Sequence, residues 1–320
     1  MNDLLPSDEE KSKPASLLRW IGLLRAVCLP GTFFVMGVYW QLIYKGGTLK
    51  AVNFMTHGVN FVIMVLDMIF SRQSYPLAHG VYFLLYAIIV IAWSVIFMYT
   101  DLYRACSCSD DDDENGAWGC KDMGDDDKAD ECSFIYRALN WAPNAFNNTL
   151  IIVLAIVFVL SPILVFLFFV FDLCLSQCSA EIDGHSEPAR DPSTAAVFRS
   201  KGFGAALSNE FHTKKLRFDV DDDWVTTFSL SRFSCISNTF FLCLRGGFFS
   251  IMLAVMLWSL SENFKSVWAI YITHWTLVLE VIYLGAAFAA TYFANDESSA
   301  LLADSDDKEI ALTVGPFSKA

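Results

Sequence analysis

Seven side chains that could do chemistry lie inside long apolar stretches, where polar groups are expensive. Asn53, His57, Asn60 and Asp67 share one stretch, Arg245 lies near the middle of another, and Glu280 lies in a third with Thr273 one heptad before it. At ~100° per residue the first four fall within about 80° of one another on a helix, so they form one polar stripe that must face protein rather than lipid. Arg245 and Glu280 read as a natural ion pair across two helices, since either charge alone would cost several kcal/mol, of the order ~3. Three readings compete for these residues: a hydrogen-bond network that holds helices together, a catalytic constellation, or a path for a proton, ion or small solute. The chain has no phosphate loop, no G-x-G-x-x-G and no H-E-x-x-H, so the expected cofactor is none.

The elements that must position these residues are membrane helices. Of the 320 residues 55% are hydrophobic and only 18% are charged. Soluble chains run to roughly 45–50% apolar and about 25% charged residues. The net charge of −13 is gathered in a few polar stretches. No basic patch exists to replace phosphate counterions, so the expected partner is the lipid bilayer, not nucleic acid. The sequence names no protein partner.

A helix crossing ~30 Å of hydrocarbon needs roughly 20 apolar residues. Six segments qualify: 18–44, 51–70, 77–100, 149–175, 235–260 and 267–293. The expected fold is therefore all-α, a polytopic membrane protein built as a six-transmembrane-helix bundle. Its organisation reads as a tail at 1–17, spans 1–3 within 18–100, an acidic loop at 101–148, span 4 at 149–177, a linker at 178–234, spans 5 and 6 at 235–293, and a tail at 294–320. The polar start carries no cleavable signal peptide, so the first span reads as a signal anchor. Of 22 Lys and Arg, Arg25 and Arg245 lie within spans. Thirteen of the others fall on the segments that share a side with the termini, and seven on the opposite loops. That bias places both termini in the cytoplasm of a plasma or endomembrane protein.

The 101–148 loop is then extracellular or lumenal. Its Cys106, Cys108, Cys120 and Cys132 read as two disulfides with three connectivities open; free thiols or an incidental metal site are the alternatives. Asp111, Asp113, Asn115, Gly116 and Asp122 match the spacing of a calcium loop, although Asp stands where Glu would chelate with both oxygens; a solvated acidic loop is the competing reading. Asn147-Asn148-Thr149 is a glycosylation sequon abutting a span. Glu297 with Leu301-Leu302 matches an acidic dileucine sorting signal. Residues 181–208 read as a flexible linker, and Asn209–Thr227 as a surface-lying segment. Cys174 and Cys178 flank the cytoplasmic end of span 4, where reversible acylation and plain packing are both open.

A family resemblance emerges from the motifs. Tyr39-Trp40, Thr56-His57-Gly58-Val59-Asn60 with Asp67, Leu77-Ala78-His79 with Tyr82, and Ile135-Tyr136 with Leu139-Asn140-Trp141 resemble the later spans of rolling-stone-like membrane proteins. Asn209-Glu210-Phe211, Trp224, Arg245 and Ile272-Thr273-His274-Trp275-Thr276 with Tyr283 resemble that family's beginning. The order is swapped: a two-span hairpin that opens the family's chain comes last here. Moving a hairpin keeps the direction of every span, and such permutation is tolerated where termini meet at the surface. A mis-joined gene reading is the alternative.

The resemblance implies a multi-pass membrane protein of unproven biochemical activity, linked in animals to cell fusion or adhesion. More distantly it implies a lipid-ester hydrolase, because rolling-stone-like proteins are similar to the androgen-induced membrane hydrolases, which use a Thr nucleophile and a His base. Thr273 matches the nucleophile. The base position is Asn60, which takes no proton from a hydroxyl, so His57 or His274 would have to substitute. A transporter or channel is the third expectation.

The topology has a direct test. After reduction, an impermeant thiol reagent applied to intact cells should reach the Cys106–Cys132 loop and not Cys178. The reverse pattern would defeat the orientation drawn from Lys and Arg.

Overall fold

The structure, a computed structural model, describes residues 13–38, 40, 51–99, 146–182, 202–210, 227–228, 230–233, 235–262 and 272–313. The described elements run α1 (Lys13–Val38), α2 (Ala51–Phe70), a 3₁₀ turn at Leu77–His79 leading into α3 (Gly80–Tyr99), α4 (146–182), the short α5 (Phe203–Glu210), α6 (Asn238–Glu262) and α7 (Ile272–Thr313). No strand occurs among the described residues. Six helices are long and apolar enough to cross a membrane, at Leu17–Gly37, Ala51–Phe70, Leu77–Ile96, Phe146–Ser176, Asn238–Ser261 and His274–Asp296. The protein is an all-α, six-span integral membrane bundle.

Within hydrocarbon each backbone group must bond inside its own segment, and the departures from regular helix show how this is met. Pro30 lies inside α1 and has no N–H for the carbonyl of Ala26. The hydroxyl of Tyr75 donates to that carbonyl at 3.4 Å. Two helices carry one π-helical turn each, Met55–Val59 in α2 and Ile156–Leu160 in α4. The Ser161 hydroxyl donates to Ile156 O at 2.8 Å beside the second of these. A π turn bonds i to i+5, so it rotates everything after it relative to a regular helix. The stripe expected on α2 from 100° steps is therefore split: Asn60 and Asp67 are fully buried, while Asn53 and His57 are half-buried.

The centre of the bundle is α1 and α7. Helix α7 packs along α6 and α1, and α1 also meets α2 and α3. The C-terminal hairpin α6–α7 thus packs against α1 and α2. Two reciprocal contacts set the α6–α7 distance. The Phe288 ring lies over Gly246, the Phe249 ring lies over Gly285, and the two rings stack at 6.4 Å. Gly247, next along α6, faces open space and takes no part in this approach. Helix α4 is peripheral. Ile151, Phe158 and Leu167 are exposed on it, as lipid-facing residues are.

Two boundaries differ from the sequence reading. Within the tail at 294–320, α7 continues to Thr313. Ala, Leu, Glu and Lys favour helix there, and Gly315-Pro316 follow its end. The linker at 178–234 holds α5 and the last turns of α4. The loop at 101–145, with Cys106, Cys108, Cys120, Cys132, Asp111, Asp113, Asn115 and Asp122, lies outside the described residues, so neither the disulfides nor the calcium loop enters the structural account.

The α3–α4 contact yields a sharp prediction. A Cβ on Gly80 would stand 2.3 Å from Val165 Cγ1 and 3.2 Å from Val165 Cβ. Gly80→Ala should cost about 1–3 kcal/mol in a detergent unfolding assay. Gly80→Ala with Val165→Ala should recover most of that loss, and no recovery would refute the contact as the cause.

Candidate functional site

One set of the described polar groups gathers around the short link that joins α2 to α3. The last carbonyls of a helix have no intrahelical partner, and a buried link cannot use bulk water. Residues Ser71, Gln73 and Tyr75 of this link are buried. Guanidinium groups from three other parts of the chain satisfy it. Arg25 of α1 donates Nη1 to Gln73 O at 2.6 Å and to Gln73 Oε1 at 3.1 Å. Arg232, ahead of α6, donates Nε to Ser71 O at 2.9 Å and Nη2 to Gln73 O at 3.4 Å. Its backbone N–H donates to Phe70 O at 2.7 Å, and Ser71 and Ser231 form an isolated antiparallel bridge. Arg245 of α6 donates Nη2 to Ser71 Oγ at 3.0 Å.

Two buried carboxylates balance these cations. Asp67 Oδ1 accepts from Arg245 Nε at 3.1 Å, and Asp67 Oδ2 accepts from the Tyr283 hydroxyl of α7. Arg245 also donates Nη1 to Thr291 Oγ1 at 2.6 Å, and its guanidinium lies 4.6 Å from the Phe241 ring centroid. On the other flank, Asp172 Oδ1 of α4 accepts from Arg232 Nη2 at 2.6 Å. Asp172 Oδ2 accepts from the Tyr75 N–H at 2.9 Å. Every one of these side chains is at least nine-tenths buried. Tyr75 lies outside the spans, and burial pushes its phenol up, against a smaller opposing effect from the Arg25 charge.

The expected Arg245–Glu280 pair is not formed. Arg245 is committed to Asp67, Ser71 and Thr291. Glu280 is fully buried, and neither of its carboxyl oxygens has a hydrogen-bond partner. The reason is reach and register: Tyr283 and Thr291 face the Asp67–Arg245 pair from the same helix, whereas Glu280 lies farther along α7 toward its start.

The candidate catalytic residues lie at that other level. His274, half-buried, shares a hydrogen bond of 3.3 Å with the Ser259 hydroxyl across the α6–α7 hairpin. His57 sits on the π turn of α2, which packs against α7, and the two imidazoles are close enough to interact electrostatically. Thr273 begins α7, and its side chain lies outside the described residues. Asn60 does not bridge helices as expected. Its Oδ1 accepts from the neighbouring Phe61 N–H at 2.6 Å, and its buried Nδ2 has no partner. Asn53 contributes its backbone carbonyl to Thr56. Among the described residues no group of three His, Cys, Asp or Glu could hold a metal ion. A groove of about 250 Å³ between α3 and α4 is lined by apolar residues and holds none of these side chains.

Sequence reasoning missed Arg25, Asp172 and Arg232. Asp172 carried a usable signal as the lone charge of its span, and Arg25 shares the first span with Arg19. Arg232 carried none, because it reads as one more cation of a cytoplasmic linker. Ser71, Gln73 and Thr291 are short polar residues without spacing, and Tyr86 with Thr276, joined at 3.0 Å, is a pairing that periodicity does not disclose.

The two carboxylates should respond oppositely. Asp67→Asn leaves Arg245 without its counter-ion, and breaking a buried pair costs about 3–5 kcal/mol. Glu280→Gln removes a group that has no partner to lose, so thermal unfolding should be unchanged or shifted upward. Equal losses for the two variants would contradict the pairing. No protein family, no curated protein and no solved structure matches the chain, so the functional reading rests on these residues and their geometry.

Proposed function

We propose that this chain is a rolling-stone-like integral membrane protein that acts as a non-enzymatic, membrane-embedded bundle, with the C-terminal hairpin clamped to the first four spans by buried charge. The supporting observation is the Asp67–Arg245–Tyr283 contact, which joins α2, α6 and α7. Three residues that carry the family resemblance are consumed there in holding helices together. The Asn60 amide, at the family's base position, is turned to its own helix backbone. The proposal places both termini in the cytoplasm, on the Lys and Arg bias, and the protein in a plasma or endomembrane.

One observation favours a second reading, an intramembrane threonine hydrolase of lipid esters. His57 lies on the π turn of α2 that packs against α7, and His274 adjoins Thr273 at the start of α7. An alcohol nucleophile needs a base that titrates near neutrality, and these are the two imidazoles at hand.

The readings separate on one experiment. The non-enzymatic bundle predicts no labelling of the purified protein by a fluorophosphonate probe and no turnover of fatty-acid esters. Thr273→Ala should then leave expression and stability nearly unchanged. Ester turnover by the wild type, lost in both Thr273→Ala and His57→Ala at normal expression, would establish the hydrolase instead.

A further inference from the structure

Free cysteine is ordinarily among the most buried residue types. Here the described cysteines invert that expectation: Cys28 is buried, whereas Cys174, Cys178, Cys235 and Cys243 are free and exposed. Plain core packing, one of the two readings open for Cys174 and Cys178, is thereby excluded.

Three of the exposed thiols also share a depth in the bundle. Cys174 and Cys178 are one helical turn apart on α4 and share a face. Cys235 is distant in sequence but follows Arg232 by three residues, and the Arg232–Asp172 bridge of 2.6 Å fixes that segment against α4 two residues before Cys174. The apolar part of α4 ends at Ser176 and that of α6 begins at Asn238. Cys174, Cys178 and Cys235 therefore lie at the boundary of the hydrocarbon layer at one end of the bundle. Cys243 lies deeper, five residues into α6, or roughly 7.5 Å along its axis at 1.5 Å per residue. Exposed Phe166, Phe171 and Phe240 give the same region an apolar, lipid-facing surface.

We propose that Cys174, Cys178 and Cys235 are a reversible S-acylation site for long-chain acyl groups. A deprotonated thiol attacks the carbonyl carbon of a long-chain acyl-coenzyme A thioester. The new carbon–sulfur bond to the protein forms, the bond to coenzyme A breaks, and the coenzyme A thiol leaves with the proton that the cysteine gave up. No oxidant or reductant takes part. The geometry suits the reaction because the thiols reach the aqueous boundary where the donor's polar head resides, and the transferred chain enters lipid at once. Each buried methylene adds ~0.8 kcal/mol of membrane affinity. The acyl chains would anchor the stretch after α4 and the approach to α6 beside the Arg232–Asp172 bridge. Cys243 is too deep for a soluble donor and is not part of the site. The proposal rests on this end of the bundle facing the cytoplasm, where acyl-coenzyme A is found.

The test uses the full chain expressed in cells. Free thiols are blocked with N-ethylmaleimide, thioesters are cleaved with neutral hydroxylamine, and the released thiols are counted by a polymer-maleimide mass shift. Disulfides survive hydroxylamine, so the cysteines of the acidic loop stay silent. The expected result is hydroxylamine-dependent shifts of up to three steps, one lost in each of Cys174→Ser, Cys178→Ser and Cys235→Ser, with Cys243→Ser leaving the count unchanged. Absence of any hydroxylamine-dependent shift in the wild type, with all four thiols blocked directly, would overturn the proposal. So would shifts that persist in the triple variant. Orientation is read separately, by applying an impermeant maleimide to sealed cells after hydroxylamine. Released thiols reached only from outside would refute the cytoplasmic placement while still supporting acylation.

Discussion

The structure depends on satisfying one short piece of non-helical backbone. Between α2 and α3 the chain turns through 71–76, where buried Ser71, Gln73 and Tyr75 alternate with exposed Arg72 and Ser74. Arg25 and Arg232 reach the link's carbonyls from different parts of the chain, and Arg245 bonds its Ser71 hydroxyl. Arg suits this task better than Lys, because its planar group presents five donors in a fixed fork and can bridge several acceptors at once. The link therefore acts as a hub: α1, α4, α6 and the segment before α6 all connect to it or to Asp67 and Asp172 beside it.

Concentrating charge in this way has an energetic logic. Each buried guanidinium or carboxylate is costly alone, and removing one partner leaves the other exposed to that cost. Arg245 and Arg232 each have a carboxylate partner at hydrogen-bond distance. Arg25 instead uses the carbonyl and amide oxygens of Gln73. The helices are consequently tied by directional contacts that do not depend on the order in which the chain visits them.

Away from the hub, the polar groups are treated differently. Glu280 and the Asn60 amide lie buried with atoms that have no partner, and His57, His274, Tyr86 and Thr276 form looser contacts toward the start of α7. The hub is rich in hydrogen bonds, and its buried atoms without a partner are Arg25 Nη2 and Gln73 Nε2. The second level keeps unspent polar capacity, and any chemistry beyond architecture would have to arise there. At the hub's outer rim, a bridge whose evident role is structural also sets the depth at which three exposed thiols meet the membrane boundary.

The number and approximate position of the spans were legible in the sequence, because a helix of about 20 apolar residues is the standing solution for backbone in lipid. Burial of Asn60 and Asp67 was legible too, since membrane polar groups have to face protein. Only tertiary structure decided who pairs with whom. Hydropathy sees Arg245 and Glu280 as two lone charges in neighbouring spans, but pairing depends on depth and on rotation about each axis. Depth favours Asp67, one helix turn before the link, over Glu280. Rotation along α2 is altered by a π turn that no residue pattern announces. The hub itself was invisible for a further reason: it is built from backbone carbonyls of a turn, and sequence lists side chains. Which cations would satisfy those carbonyls was settled by the packing of α1, α4 and α6 around them, in three dimensions and across more than a hundred residues of chain.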